Sequence, residues 1–505
     1  MINRAITLLL IGLILFTPIA FGSMELWAFS IMEFGILFII ILWAIQTGIV
    51  RLLASEKSFD TFDGAKPRFL NRGKKRRSVS TLSKPRALDR GVEWVDSAIY
   101  NPQSALPIVL LGLFLLLILF QMVSLPSGIL KILSPKTFEL RSALSLEPPA
   151  SGFPLSFFPL LTQIEFFKWL TLVGLFIFLL GWKPLEQSGR TQKHLLIAVM
   201  TAGVLESLYG MFEFFSGHRH ILHVAAETLV SSATGTFINR NYFAGYLLMV
   251  IPLSMGFLFS READRTGRFM GWRHWLSSLD GKTLLIGFGV MVMILGLLFS
   301  ASRMGILSLL LSFSLISLFF RSPWKERTFS RGAILILGLA VLWAAWIGLD
   351  AVINRFFTAS EGLKGRWVFW VNTFQIFKDF PIFGSGLGTY LEVFPMYRSF
   401  YTQGLISHAE NDFLQLASEV GVIGLGLLSV LFFYLFLKAR SGIRSLSDGE
   451  PGRYIAIGGL VGILALMFHS LVERNIQVPS NAFLYTFIFA LVLRIAPIRK
   501  KKNRS

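Results

Sequence analysis

Read from its N-terminus, the chain alternates long apolar runs with short polar ones. Twelve apolar intervals are long enough to cross a bilayer, near 5–22, 26–50, 105–123, 163–181, 194–215, 241–260, 283–301, 304–320, 333–350, 412–437, 454–473 and 481–498. The pattern predicts an all-α polytopic membrane protein with about twelve transmembrane helices. The first interval carries no cleavage-site pattern and reads as a retained helix. On one side of this ladder two polar stretches are longer than the rest, 124–162 and 351–411. The second combines GRWVFWVNTFQIFKDF, an amphipathic helix that Arg366 opens, with a glycine turn, GSGLGTY. It reads as a large outward-facing loop between spans nine and ten. The chain divides accordingly. Residues 1–50 hold the first two helices, 51–104 a basic cytoplasmic loop that reads as disordered, and 105–350 helices three to nine. Residues 351–411 form the outer loop, 412–498 the last three helices, and 499–505 a basic tail.

Charge orients the ladder. The chain has 48 Lys and Arg against 29 Asp and Glu, a formal net charge of +19. With the N-terminus inside, most of the basic residues fall on inside segments: Arg4, the run from Arg51 to Arg90, the short loops after spans four, six, eight and ten, and the tail from Arg494. That is the bias that orients membrane helices, and it places both termini in the cytoplasm. The excess therefore needs no nucleic-acid partner, and membrane lipids are the expected surroundings. Composition narrows the chemistry further. With 54% hydrophobic residues and no cysteine, the chain has neither thiolate nucleophiles nor Cys-ligated zinc. No inside segment is long enough for a Rossmann-type domain, and neither an Asp-x-Asp pair nor a Gly-x-Ser-x-Gly nucleophile occurs.

Topogenesis does not ask for the arginines on the other face. Arg240 lies in GTFINRNYFAGY, Arg303 in SASRMG, Arg366 in the large loop and Arg474 in HSLVERNIQVPSN. A charge at the membrane boundary is costly unless it is paired or used. Several arginines on one face with His408, Glu410 and Glu473 point to a shared anionic ligand. Guanidinium suits phosphate oxygens, which makes a diphosphate headgroup the natural candidate. Next to it, SHAEND offers Asn411 and Asp412 as a helix cap and His408 or Glu410 as a general base. A cap alone, with His408 and Glu410 merely bonded within the loop, is the plainer alternative. His218, His220, His223 and Glu227 match no defined metal spacing, so no metal is expected. Glycines 384, 386 and 388 have no preceding strand and read as a tight turn, not a phosphate loop.

Taken in order, FGSMELWA, QMVSLPSGILKILSP, GTFINRNYFAGYL, SASRMG, GRWVFW, FPIFGSGLGTY, HAENDFLQLASEVGVIG and HSLVERNIQVPSNA resemble the O-antigen ligase and polymerase superfamily of bacterial envelope glycosyltransferases. The resemblance implies an inner-membrane enzyme whose active site, including 351–411, is periplasmic. It implies an undecaprenyl-diphosphate-linked glycan donor, a glycan or lipid acceptor, and neither cofactor nor metal. Arg240 and Arg303 look like the arginines that hold the diphosphate, with Arg366 as helper and Asn411, Arg474 and Glu473 in support. The ligase signature is His-Asn, nine residues, then Gly-x-x-Gly. Here Asn411, Gly421 and Gly424 match, while Glu410 stands in the histidine's place and His408 lies two positions earlier. A twelve-span chain of this composition also fits a polysaccharide flippase or a non-catalytic assembly subunit.

Overall fold

In hydrocarbon every backbone N–H and C=O must be satisfied within the chain, so apolar intervals of this length fold as helices. The computed structural model describes residues 2–63, 102–144, 152–217, 220–222, 224–225, 232–266, 280–319, 338, 359–401, 404–447 and 449–497. Every apolar interval lies on a helix except 333–350, which falls almost wholly outside the described residues. The order is α1 (Ile2–Ile19), α2 (Leu26–Asp63), α3 (Pro102–Met122), short α4 (Ser127–Leu133) and α5 (Pro135–Leu144), α6 (Pro159–Gly181), α7 (Lys183–Gln187) and α8 (Gly189–Ser216). Then come α9 (Arg240–Thr266), α10 (Gly281–Phe299), α11 (Arg303–Phe319), α12 (Ala359–Asp379), α13 (Tyr390–Val393), α14 (Asp412–Ser445), α15 (Pro451–His469) and α16 (Pro479–Ile495). Among the described residues nine helices are long and apolar enough to cross a bilayer, and α11 and α16 are shorter apolar helices. Two minimal antiparallel pairs complete the secondary structure: β1 (Ser124–Leu125) with β2 (Phe153–Pro154), and β3 (His220–Ile221) with β4 (Val224–Ala225).

α9 is the axis of the bundle. Every residue from 241 to 260 is buried. Against it α15 approaches backbone to backbone: a Cβ on Gly458 would lie 2.2 Å from the Pro252 carbonyl oxygen, and one on Gly256 would lie 2.5 Å from that of Tyr454. Small residues at such a crossing let dispersion contacts form where no hydrophobic drive exists between helices.

Two boundaries differ from the sequence reading. α2 runs on to Asp63, past its apolar interval. α12 starts at Ala359, so Arg366 sits inside the helix and does not open it. The preceding ASEGLKG is polar and holds two glycines, which is why it read as loop.

Over one end of the bundle lies a second, smaller core of Phe157, Ile376, Phe380, Tyr390, Val393, Phe394 and Ala409. It joins the 124–162 stretch to the α12–α14 region. Arg141 ties it down by donating to the carbonyls of Ser156 and Phe157 at 2.6 and 2.7 Å.

α14 is broken at Gly421, whose φ of 64° and ψ of −171° leave the helical region. The freed backbone groups pair with the glycine turn. Ser385 and Gly386 donate to the carbonyls of Ser418 and Glu419, each at 3.0 Å, and Val422 and Ile423 donate to those of Pro381 and Ile382 at 2.8 and 3.4 Å. Gly384 (φ 75°) and Gly421 are required by this close approach, since a Cβ on either would sit 2.1–2.2 Å from the other segment's backbone. The tight turn expected at 384–388 is thus the partner of a helix break 35 residues later in the chain.

Candidate active site

Five segments meet at this end of the bundle: the starts of α9 and α11, the middle of α12, the 404–411 approach to α14, and the 470–478 turn between α15 and α16. Backbone and cap interactions fix the frame. Asn411 is extended and its Oδ1 accepts from the Leu414 amide at 3.0 Å, the helix cap expected from its residue type. Asp412 accepts from the amides of Asn475 and Ile476 at 2.8 and 2.7 Å, while its own amide donates to the Ser470 carbonyl at 2.9 Å. That locks the start of α14 to the 470–478 turn. From α11's side Ser302 meets His469 Nε2 at 3.4 Å, and the Asn475 amide donates to His469 Nδ1 at 3.1 Å. From α9's side the Tyr242 carbonyl accepts from Asn481 at 3.1 Å.

Onto this frame the ionisable groups are set in two linked pairs. Arg366 forms an ion pair with Glu473, which is 2% exposed. Burial pushes the Glu473 carboxyl above the usual carboxylate range, with the Arg366 guanidinium pulling the other way and the negative charge of Glu410 pushing it up. Beside it, Arg474 donates to His408 Nε2 and lies over the Tyr242 ring, 5.9 Å from its centroid. Burial, and then Arg474, drive the His408 pKa down to about 2. The imidazole is therefore neutral and its Nε2 lone pair is occupied.

Glu410 joins the pairs under strain. Its φ is 50°, a left-handed conformation that costs a residue with a Cβ about 1–2 kcal/mol. The indole of Trp370 holds its carbonyl at 3.4 Å, and its Oε2 is buried without a donor. A glutamate kept in a conformation that suits glycine or asparagine marks a position where the side chain is wanted.

Arg303 opens α11 and has a buried Nη1 with no hydrogen-bond partner among the described residues. Arg240 opens α9 half-buried, next to Asn241. Both arginines thus open helices, at the positive end of a helix dipole that favours anions as well, although Asn239 already accepts from the first amides of α9.

Several site-forming residues escaped the sequence reading. Glu206 of α8 accepts from Thr236 through its amide at 2.8 Å and its hydroxyl at 2.9 Å, fixing the segment that delivers Arg240. Glu419 of α14 accepts from the amides of Gly388 and Tyr390 at 3.0 and 3.3 Å. Gln121 of α3 donates to the carbonyls of Phe383 and Glu419 at 2.6 and 2.8 Å and accepts from the Leu387 amide at 3.1 Å. The available signal was an acidic residue inside an apolar interval, as at Glu206 and Glu419.

An apolar cavity of about 430 Å³ runs between α3, α6, α14 and α16, walled by Phe176, Leu428, Phe432 and Phe489 and ending at Lys168, Asp412 and Gln477 beside the polar frame. Among the described residues no three His, Asp or Glu side chains gather as a metal site. His220 lies in β3, while His218, His223 and Glu227 fall outside the described residues.

The family model for O-antigen ligase matches residues 288–429, a stretch that holds Arg303, Arg366, His408, Glu410 and the α14 break. The match covers well under half of the 505 residues and supports the O-antigen ligase and polymerase resemblance for that stretch. Arg240, Glu473 and Arg474 lie outside the matched residues and reach the site through the fold. No curated protein matches the chain.

Proposed function

We propose that the chain is a member of the O-antigen ligase and polymerase superfamily, an inner-membrane glycosyltransferase that moves a glycan from undecaprenyl diphosphate to an acceptor hydroxyl of a glycan or lipid on the periplasmic face. The observation that carries the reading is the gathering of Arg303, with its unpartnered buried nitrogen, and the strained Glu410 at one end of an apolar bundle. Arg240 and Arg303 hold the diphosphate, and Arg366 adds its charge from its place on Glu473. As the glycosidic C–O bond breaks, its electron pair passes to the diphosphate. The developing charge meets guanidinium groups and helix N-termini already in place, so little reorganisation is needed. Glu410 takes the acceptor hydroxyl's proton as that oxygen bonds the anomeric carbon from the opposite face. The permanent arginine charge does the work a divalent cation does elsewhere, and no cofactor enters. The apolar cavity ending at Asp412 suits a lipid chain whose polar head must reach the frame.

Purified protein, a polyprenyl-diphosphate glycan and an acceptor glycan or lipid test the reading. Transfer in detergent with release of polyprenyl diphosphate, insensitive to chelators, is the expected result. Movement of the intact donor across vesicles without transfer would replace it with a flippase.

A further inference from the structure

α12 presents two different faces. The inner one packs Phe369, Ile376 and the following Phe380 into the second core, and the Trp370 indole holds the Glu410 carbonyl. The outer one carries Trp367, Val371, Phe374 and Lys378, spaced i, i+4, i+7 and i+11 and all exposed. That spacing puts the four on one side of the helix, over a length of about 17 Å. Trp367, the largest of them, is 64% exposed. Three large apolar side chains in a row are costly to leave in water, and such a patch marks a surface that meets something apolar.

What it meets follows from where the face leads. Just past α12, Ile382 is exposed as well, and its carbonyl accepts from the Ile423 amide at 3.4 Å. Val422 and Ile423 lie on α14 at its break, and both are exposed. α14 is long and apolar enough to cross the bilayer, so its exposed apolar side chains face lipid. The outer stripe of α12 thus leads through Ile382 to a lipid-facing surface.

The side chains suit the same neighbour. Tryptophan is favoured at the level of the lipid headgroups, and a lysine beds its stem on apolar surface while its ammonium reaches the phosphates. The Lys378 Nζ lies 5.0 Å from the Phe374 ring centroid. The adjacent Asp379 accepts from the Tyr397 hydroxyl at 2.7 Å, on the side of the second core.

We propose that α12 is seated in the bilayer surface at the active end, with Trp367, Val371 and Phe374 in the edge of the hydrocarbon and Lys378 among the lipid phosphates. The seating stands on this face alone and not on the proposed chemistry. It does give that chemistry a fixed height. Arg366 is next to Trp367 in the chain and grips Glu473, while Trp370 holds Glu410, so the membrane surface sets the level of both groups. A diphosphate carried on a membrane lipid arrives at that level.

The chain has no cysteine, so single labels can be placed without removing one. Trp367→Cys, Val371→Cys and Phe374→Cys, each spin-labelled, are compared with Val422→Cys in bilayer discs of phosphatidylethanolamine and phosphatidylglycerol. Oxygen partitions into lipid and a nickel chelate stays in water, and power saturation reads the access of each label to both. All three α12 labels should favour oxygen over nickel, as the label at 422 does. Adding Val371→Glu and Phe374→Glu together should lower oxygen access and raise nickel access at 367. A preference for nickel at 367, 371 and 374 overturns the seating and leaves the face to a water-borne ligand such as a glycan. Access to neither probe overturns it too, because another protein surface then covers the face. A label at 367 that stays in lipid in the double glutamate variant shows that this stripe does not do the seating. None of these readings needs an active enzyme, so a failure of the proposed transfer chemistry leaves them intact.

Discussion

Arg474 donates a guanidinium N–H to His408 Nε2, and this bond limits what the imidazole can do. A ring whose basic nitrogen already accepts from a permanent cation is a poor proton acceptor, whereas Glu410 keeps a buried oxygen without a donor. His408→Gln should therefore retain most of the transfer activity, because the amide oxygen can still accept from Arg474. Glu410→Gln should lose about 10²-fold or more, the scale of general-base catalysis. Transfer assays on the two purified variants decide between the residues; the opposite ranking would make His408 the base.

The same contact has a consequence for stability. In the unfolded chain His408 titrates near its ordinary 6.5, and in the folded chain at about 2. Between those values the unfolded state binds the extra proton, so folding stability falls as pH drops below 6.5. Melting curves in detergent should show His408→Gln losing less on going from pH ~7 to pH ~5 than the wild type does. Equal losses would mean the ring is not held neutral.

Relief of strain at Glu410 should separate stability from activity. Glu410→Gly removes the Cβ from a φ of 50° and should hold or raise the melting temperature, since the relieved strain is on the order of 1 kcal/mol. It should also abolish transfer. A destabilised Gly variant would show that the side chain's contacts outweigh the backbone strain.

Arg303→Lys and Arg240→Lys keep the charge and lose the planar fork. Each should reduce transfer by about 10- to 100-fold, the worth of a charged hydrogen bond or two, with normal membrane insertion. Near-full activity in both would make them anchors and not diphosphate ligands.

The turn that closes the α14 break should be intolerant of side chains. Gly421→Ala and Gly384→Ala each place a methyl within 2.1–2.2 Å of backbone at a positive φ and should sharply reduce folded yield. Gln121→Leu strands the Phe383 carbonyl and the Leu387 amide at about 1–3 kcal/mol each and should lower the melting temperature, with its loss of activity following the loss of fold.

Much of the fold was legible because membrane helices announce themselves locally. Each apolar interval that the structure describes lies on a helix, and Asn411 caps α14 as its residue type suggests. The site was legible as a set of residues on one face, but not as a set of pairs. Arg366 and Glu473 are 107 positions apart, His408 and Arg474 are 66, and Gln121 lies 298 from Glu419. No periodicity spans such distances, so which arginine grips a carboxyl and which is left for a ligand emerges only from packing. The glycine turn was read correctly as a turn, but its partner was hidden because Gly421 sits within an otherwise continuous apolar run.

The break at Gly421 also bears on biogenesis. Backbone groups left open inside hydrocarbon cost several kcal/mol each, so a bent α14 is stable only with 381–386 seated against it. That segment is made first. On the proposed topology it has already been translocated when α14 leaves the ribosome, ready to dock. The helix can therefore enter the bilayer straight and take its bend last. Maturation of the active end would then be a distinct, post-insertion step, visible as a lag between protease protection of α14 and the first transfer activity in a synchronised translation.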